Sequence, residues 1–124
     1  MSKIIWIAGG GALGAVLRYL VAGWAQNLTR GTFPLGTLTV NLCGCFVLGM
    51  LAALTTGSLL LRPELRLALL IGLLGGFTTF STFAFETFQL LASGSWFAAA
   101  SNLLLSNLLG LGGVWAGWRL GSLF

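Results

Sequence analysis

Narrow polar bands divide this chain into four long, mainly apolar runs, at about residues 4–24, 35–54, 65–91 and 96–120. At 1.5 Å per helical residue, each run is long enough to cross a hydrocarbon core of roughly 30 Å. The pattern predicts an all-α integral membrane protein, one domain of four transmembrane helices. The bands between runs are Gln26–Phe33, Thr55–Glu64 and Ser93-Gly94-Ser95. Pro34 suits the first turn of the second helix, where its missing N–H costs nothing. Trp6, Trp24, Trp96, Trp115 and Trp118 fit the aromatic belts of the two membrane interfaces.

The third run is longer than a span requires, and an unusual stretch lies within it: Gly75-Gly76-Phe77-Thr78-Thr79-Phe80-Ser81-Thr82-Phe83. A lipid-facing helix has no use for this composition. Glycine pairs are where membrane helices bend or unwind, and unwound backbone at membrane depth is tolerated only under cover of protein or a wet cavity. The third helix is therefore expected to be broken or breakable here. The alternative is a seam of small residues packed between helices.

Two further polar faces follow helical spacing. Thr37, Asn41 and Cys45 recur every four residues beside Gly44, and Asn102, Ser106 and Gly110 do the same, with Asn107 adjacent. A carboxamide near the bilayer middle must find partners. Asn41 reads either as a donor to a passing ion or as a clasp between helices. In the first run, Gly10 and Gly14 form a small-xxx-small pair suited to close helix contact. Arg18 follows them, and either snorkels outward or holds a carbonyl inside the bundle. Glu86 is the one acid within an apolar run. Its place near the run's end favours snorkelling, with the lining of a vestibule as the alternative.

Composition narrows the class. With 57% hydrophobic and 6% charged residues, the chain falls far below the quarter or so of charged residues in soluble domains. Six Lys/Arg against two acids give a net charge of +4. These charges are scattered and too few for a nucleic-acid surface, so anchoring and topology are their expected uses. Cys43 and Cys45 point to different sides of a helix and form neither a disulfide nor a metal pair. No cleavable signal is expected, since no small-residue cleavage site with a mature domain behind it follows the first run. Four spans put both termini on one side with Lys3, Arg62, Arg66 and Arg119, against Arg18 and Arg30 on the other. So weak a bias suggests insertion both ways, and two opposite copies would form an antiparallel dimer with its two-fold axis in the membrane plane.

Asn41, Ser81, Thr82, Asn102 and Ser106 are all hydrogen-bond donors, and no cationic side chain lies mid-span. A path of donors without fixed positive charge suits a small anion that accepts strong hydrogen bonds. The positive ring edges of Phe80 and Phe83, three apart on one helix face, offer a second attraction; ordinary core packing is the alternative.

Three motifs stand in order: Gly10-x3-Gly14-x3-Arg18-Tyr19, then Pro34-Leu35-Gly36-Thr37-Leu38-x2-Asn41-x2-Gly44, then the Gly75–Phe83 stretch. In their order and spacing the chain resembles the Fluc (CrcB) family of fluoride channels, over its whole length and span number. The resemblance implies a channel rather than an enzyme. It implies a dual-topology antiparallel homodimer in the bacterial inner (plasma) membrane, with two pores that pass cytoplasmic fluoride outward down its gradient and reject chloride. It further implies Phe80 and Phe83 as aromatic-box residues and Asn41 as a pore-lining amide. Thr82 and Ser106, with Ser81 and Asn102, would belong to the polar track, and Arg18 would be structural. A structural Na⁺ on the two-fold axis would be held by the backbone carbonyls of Gly75 and Thr78 from both copies. Many members carry Tyr where this chain has Asn102, so the vestibule end of the track differs here. A small proton-coupled drug exporter of the same size and topology needs a carboxylate in the first helix, and the first run has none. A non-transporting assembly protein leaves both polar faces unexplained.

Overall fold

The computed structural model describes residues 2–29, 31–56 and 61–124. Arg30, one of the two charges assigned to the second side, lies outside the described residues, as do 57–60 of the second polar band. Four helical segments are long and apolar enough to cross a membrane, and there is no strand among the described residues. The chain is a multi-pass membrane protein.

Helix α1 runs Ser2–Asn27 and α2 Leu35–Thr56. The third span, Pro63–Ala92, is built from several pieces. It starts with α3 (Pro63–Leu67), continues through a π-helical turn (Ala68–Leu73) into α4 (Leu74–Phe77), and ends with α5 (Phe80–Ala92). Helix α6 is Trp96–Gly121.

Pro34 stands just before α2 rather than inside it, and its carbonyl accepts the Leu38 N–H at 3.1 Å. The preceding loop is tied down by Gln26 at the end of α1. Its Nε2 donates to the carbonyls of Gly31 (3.3 Å) and Phe33 (3.0 Å), and its Oε1 accepts from the Gly36 N–H (3.0 Å). That last N–H is one of the donors a helix start leaves without an intrahelical partner. Between α5 and α6 the chain reverses at Gly94, whose φ of 76° suits glycine. The Ser95 N–H reaches back to Leu90 O (2.8 Å) and the Gly94 N–H to Leu91 O (3.0 Å), closing the last turn.

Two parallel helix pairs make the bundle: α1 against the third span, and α2 along α6. Both rest on backbone-to-backbone approach. A Cβ on Gly10 would collide with the Ala68 carbonyl, and one on Gly14 with the Leu73 carbonyl. On the other pair, a Cβ on Gly49 would collide with the Val114 carbonyl and one on Gly117 with that of Phe46. Such small-residue seams hold membrane helices together by close packing, because lipid supplies no hydrophobic drive between them. The α1 seam is uneven: four residues from Gly10 to Gly14 are matched by five from Ala68 to Leu73. The π turn absorbs the difference, since Leu74 N–H bonds Leu69 O, five residues back. Many buried side chains are small, such as Ala25, Val40 and Ala99, while most large apolar side chains face outward. That is the arrangement expected where the solvent is lipid.

Candidate functional site

The third span leaves helical geometry for two residues. Thr78 has φ −87° and ψ 159°, Thr79 has φ −152° and ψ 114°, and the helix resumes at Phe80. Backbone groups at membrane depth need partners, and here they find them. Thr78 returns both its N–H and its Oγ1 to Leu74 O, each at 2.9 Å. Thr79 N–H donates to Asn41 Oδ1 (2.8 Å), and Asn41 Nδ2 donates back to Thr79 O (3.0 Å). Asn41 thus clasps α2 to the third span, through the backbone of Thr79. Its carboxamide replaces a helical turn that Thr79 has given up, and keeps one N–H to spare. Thr79 Oγ1 then caps α5, accepting from Thr82 N (3.3 Å) and donating to Thr82 Oγ1 (2.9 Å).

Around this step lie two cavities that share Thr79. The first, of about 350 Å³, is lined by Asn41, Thr78, Thr79, Phe80, Phe83 and Ser106, together with Asn107 and a mainly apolar remainder that includes three leucines. The two rings stand 5.7 Å apart between centroids, tilted by 50°. Phe83 is 8% exposed, whereas Phe80 is 79% exposed. Among the described residues, no cationic side chain lines this cavity. The second, about 370 Å³, is lined by Arg18, Thr37, Thr79, Thr82 and Glu86 among others. Arg18 Nη1 makes a long contact of 3.4 Å to Thr78 O, reaching inward rather than snorkelling. Glu86 also turns inward: its Oε1 accepts from Thr37 Oγ1 at 2.9 Å, and its Oε2 is buried with no partner among the described residues. Helical cross-links of this kind depend on which helices adjoin, so the position of Glu86 near a run's end could not reveal Thr37.

The structure brings Asn41, Phe80, Phe83 and Ser106 to one cavity and puts Thr82 at the other. Ser81 is exposed, its Oγ 3.4 Å from Thr79 Oγ1. Asn102 lines neither cavity. It is buried at 1% exposure and donates to Thr87 Oγ1 at 2.9 Å. Two residues to which sequence reasoning gave no role of their own take part: Thr79, quoted only within the Gly75–Phe83 stretch, whose further signal was a threonine three residues before another at a helix start, and Thr87, which had no signal beyond polarity.

Among the described residues there is no cluster of His, Cys, Asp or Glu that could hold a metal. Both cysteines are free. Backbone oxygen is a different matter. In a continuous helix the Thr79 N–H would bond Gly75 O, but Asn41 takes it, so the carbonyl of exposed Gly75 loses its helical donor. The Thr82 N–H bonds Thr79 Oγ1, and Thr78 O meets only the long Arg18 contact, which leaves a second lone pair. Two carbonyls released from helical pairing fit a hard monovalent cation. One chain supplies too few of them to surround it.

Comparison with known proteins gives one consistent result. Residues 5–118 match the family described as CrcB-like protein, Camphor Resistance (CrcB). A protein named fluoride-specific ion channel FluC from Geobacter sulfurreducens is 50% identical over 117 residues, 94% of each chain. Its namesake from Roseiflexus is 49% identical over 115 residues, 93% of each chain. The one from Maridesulfovibrio salexigens is 43% identical over 123 residues, 99% of this chain and 98% of its own.

Proposed function

The chain belongs to the CrcB family, and from that membership together with the geometry around Thr79 we propose that it is a passive fluoride channel. The observation that carries the chemistry is the first cavity. It joins an amide, hydroxyls and two phenylalanine rings, and among the described residues no cationic side chain lines it. Fluoride entering this space loses water, and an uncompensated ion in a low dielectric is very costly. The spare N–H of Asn41, the hydroxyl of Ser106 and the edges of Phe80 and Phe83 supply partial positive charge in its place. None of them carries a full charge that would trap the ion, and conduction requires release as well as entry. Thr79 and Thr82 continue a line of hydroxyls toward the second cavity, where Arg18 offers a positive field.

In this reading the step at Thr78–Thr79 is a working break in the third helix, held open by Asn41. The working unit is an antiparallel homodimer of dual topology with two pores. Non-helical backbone needs cover at membrane depth; Gly75 and Phe80 are exposed in a single chain, and a second copy would cover them. The freed carbonyls of Gly75 and Thr78, met by those of the partner, would hold a structural Na⁺ whose charge offsets the passing anions. Ser81 and Thr82 belong to the polar track, and Asn102 supports it from behind.

Fluoride efflux from liposomes containing the purified protein tests the proposal, with chloride efflux measured alongside. Fast fluoride loss with chloride retained is expected. Equal passage of both ions, or of neither, would end the fluoride reading. A drug exporter is not favoured, because α1 carries no carboxylate to exchange protons against a cation.

A further inference from the structure

Asn102 and Thr87 line neither cavity, yet they are among the most enclosed polar side chains in the bundle, at 1% and 6% exposure. Asn102 Nδ2 on α6 donates to Thr87 Oγ1 on α5 at 2.9 Å, and Thr87 Oγ1 donates to Phe83 O at 2.7 Å. A hydroxyl has one proton to give. Once that proton is on Phe83 O, the oxygen meets Asn102 as an acceptor, which fixes the direction of the chain of bonds. On the other side of the amide, Ser106 Oγ donates to Asn102 Oδ1 at 3.5 Å, the long limit of such a contact, so weak a bond that its one proton can turn to an anion in the cavity. Phe83 and Ser106 both line the first cavity. One buried amide therefore links a ring-bearing residue on α5 to a hydroxyl on α6.

Helix α5 needs such a tie. It has 13 residues and enters from two residues of non-helical backbone, so the helix before it does not fix its sideways position. Its polar tethers to neighbouring helices are Glu86 to Thr37 of α2 and Thr87 to Asn102 of α6. Both lie about one turn from Phe83, but of the two only the second also touches Ser106.

We infer that Asn102 and Thr87 are positioning residues, which dock α5 on α6 so that the Phe83 ring and the Ser106 hydroxyl face the same ion. This rests on the reading of the first cavity as a fluoride path. With its amide committed to Thr87 and almost no open surface, Asn102 acts through its neighbours and not on the ion.

The test compares wild type, Thr87→Val, Thr87→Ser, Asn102→Leu and the double variant Thr87→Val/Asn102→Leu. Fluoride efflux is measured per folded protein, quantified by size exclusion, together with the thermal midpoint in detergent. Valine keeps the volume of threonine and removes the hydroxyl; serine restores the hydroxyl. Thr87→Val and Asn102→Leu should each slow efflux by about threefold to about twentyfold, the span set by measured interhelical hydrogen bonds in membranes. Thr87→Ser should recover the wild-type rate, and the double variant should be no slower than the worse single. Wild-type efflux in Thr87→Val, failure of serine to rescue, or fully additive losses would overturn the inference, and additive losses would return Asn102 to direct ion contact. If Asn102→Leu does not fold, the valine and serine variants at Thr87 decide alone. A wild type that passes no fluoride would remove the fluoride reading, and the thermal midpoints then judge the tie: coupled losses uphold it and additive ones overturn it.

Discussion

Asn41 exchanges two hydrogen bonds with the backbone of Thr79, so a change of one atom there reaches the whole site. Asn41→Asp replaces the donor to Thr79 O with an oxygen, leaves that carbonyl unpaired and adds a negative charge beside an anion path. A buried group left unpaired costs about 1–3 kcal/mol, so fluoride efflux per folded protein should fall about tenfold or more. Efflux at the wild-type rate would mean the amide serves packing alone. The two phenylalanines separate differently. Phe80 is exposed within the chain and Phe83 is buried. Isoleucine keeps much of the bulk and removes the ring edge. Phe80→Ile should therefore lower efflux with little change in thermal midpoint, whereas Phe83→Ile should lower both. If the rings only pack, Phe80→Ile will leave efflux and midpoint alike unchanged.

At the scale of elements, glycines of the third span and of its neighbour divide by what a side chain would meet. A Cβ on Gly75 meets nothing within 4 Å, whereas one on Gly14 strikes the Leu73 carbonyl. Gly14→Val should thus prevent accumulation of folded protein. Gly75→Val should leave helix content intact by circular dichroism and weaken the proposed dimer on size exclusion, through the partner's surface and the stiffer backbone. A stable, active Gly75→Val dimer would place the two-fold contact elsewhere. The released carbonyls give a companion measurement. Exchanging Na⁺ for a bulky organic cation should lower the dimer's thermal midpoint, and an unchanged midpoint would discard the central ion. The four spans were legible in the sequence because twenty apolar residues in a row have few other uses. The sequence also named Asn41, Phe80, Phe83 and Ser106, which share a cavity. Partners were not legible. Thr79 lies 38 residues from Asn41 and Thr87 lies 15 from Asn102, and helical periodicity shows which face is polar but not what adjoins it. The π turn was hidden for another reason, since Ala68-Leu69-Leu70-Ile71-Gly72-Leu73 is as apolar as any regular turn.

For the molecule as a whole, the charge split around four spans predicts insertion in both orientations. Single-cysteine tags at the N-terminus, in a background without Cys43 and Cys45, should label from both sides of intact cells. Labelling from one side only would leave the antiparallel dimer without support. The uneven seam between α1 and the third span has a consequence for how the protein tolerates change in length. One residue more or less in a continuous helix rotates everything beyond it by about 100°. Between Ala68 and Leu73 the chain already carries one residue more than α1 matches, coiled into a wider loop. Deleting a single residue there would let the loop tighten into an ordinary turn and leave the helices on either side in register. The same deletion between Phe77 and Phe80 has no such reserve to draw on. The π turn is thus an expansion joint: a deletion within Ala68–Leu73 should leave folded protein, whereas one between Phe77 and Phe80 should not.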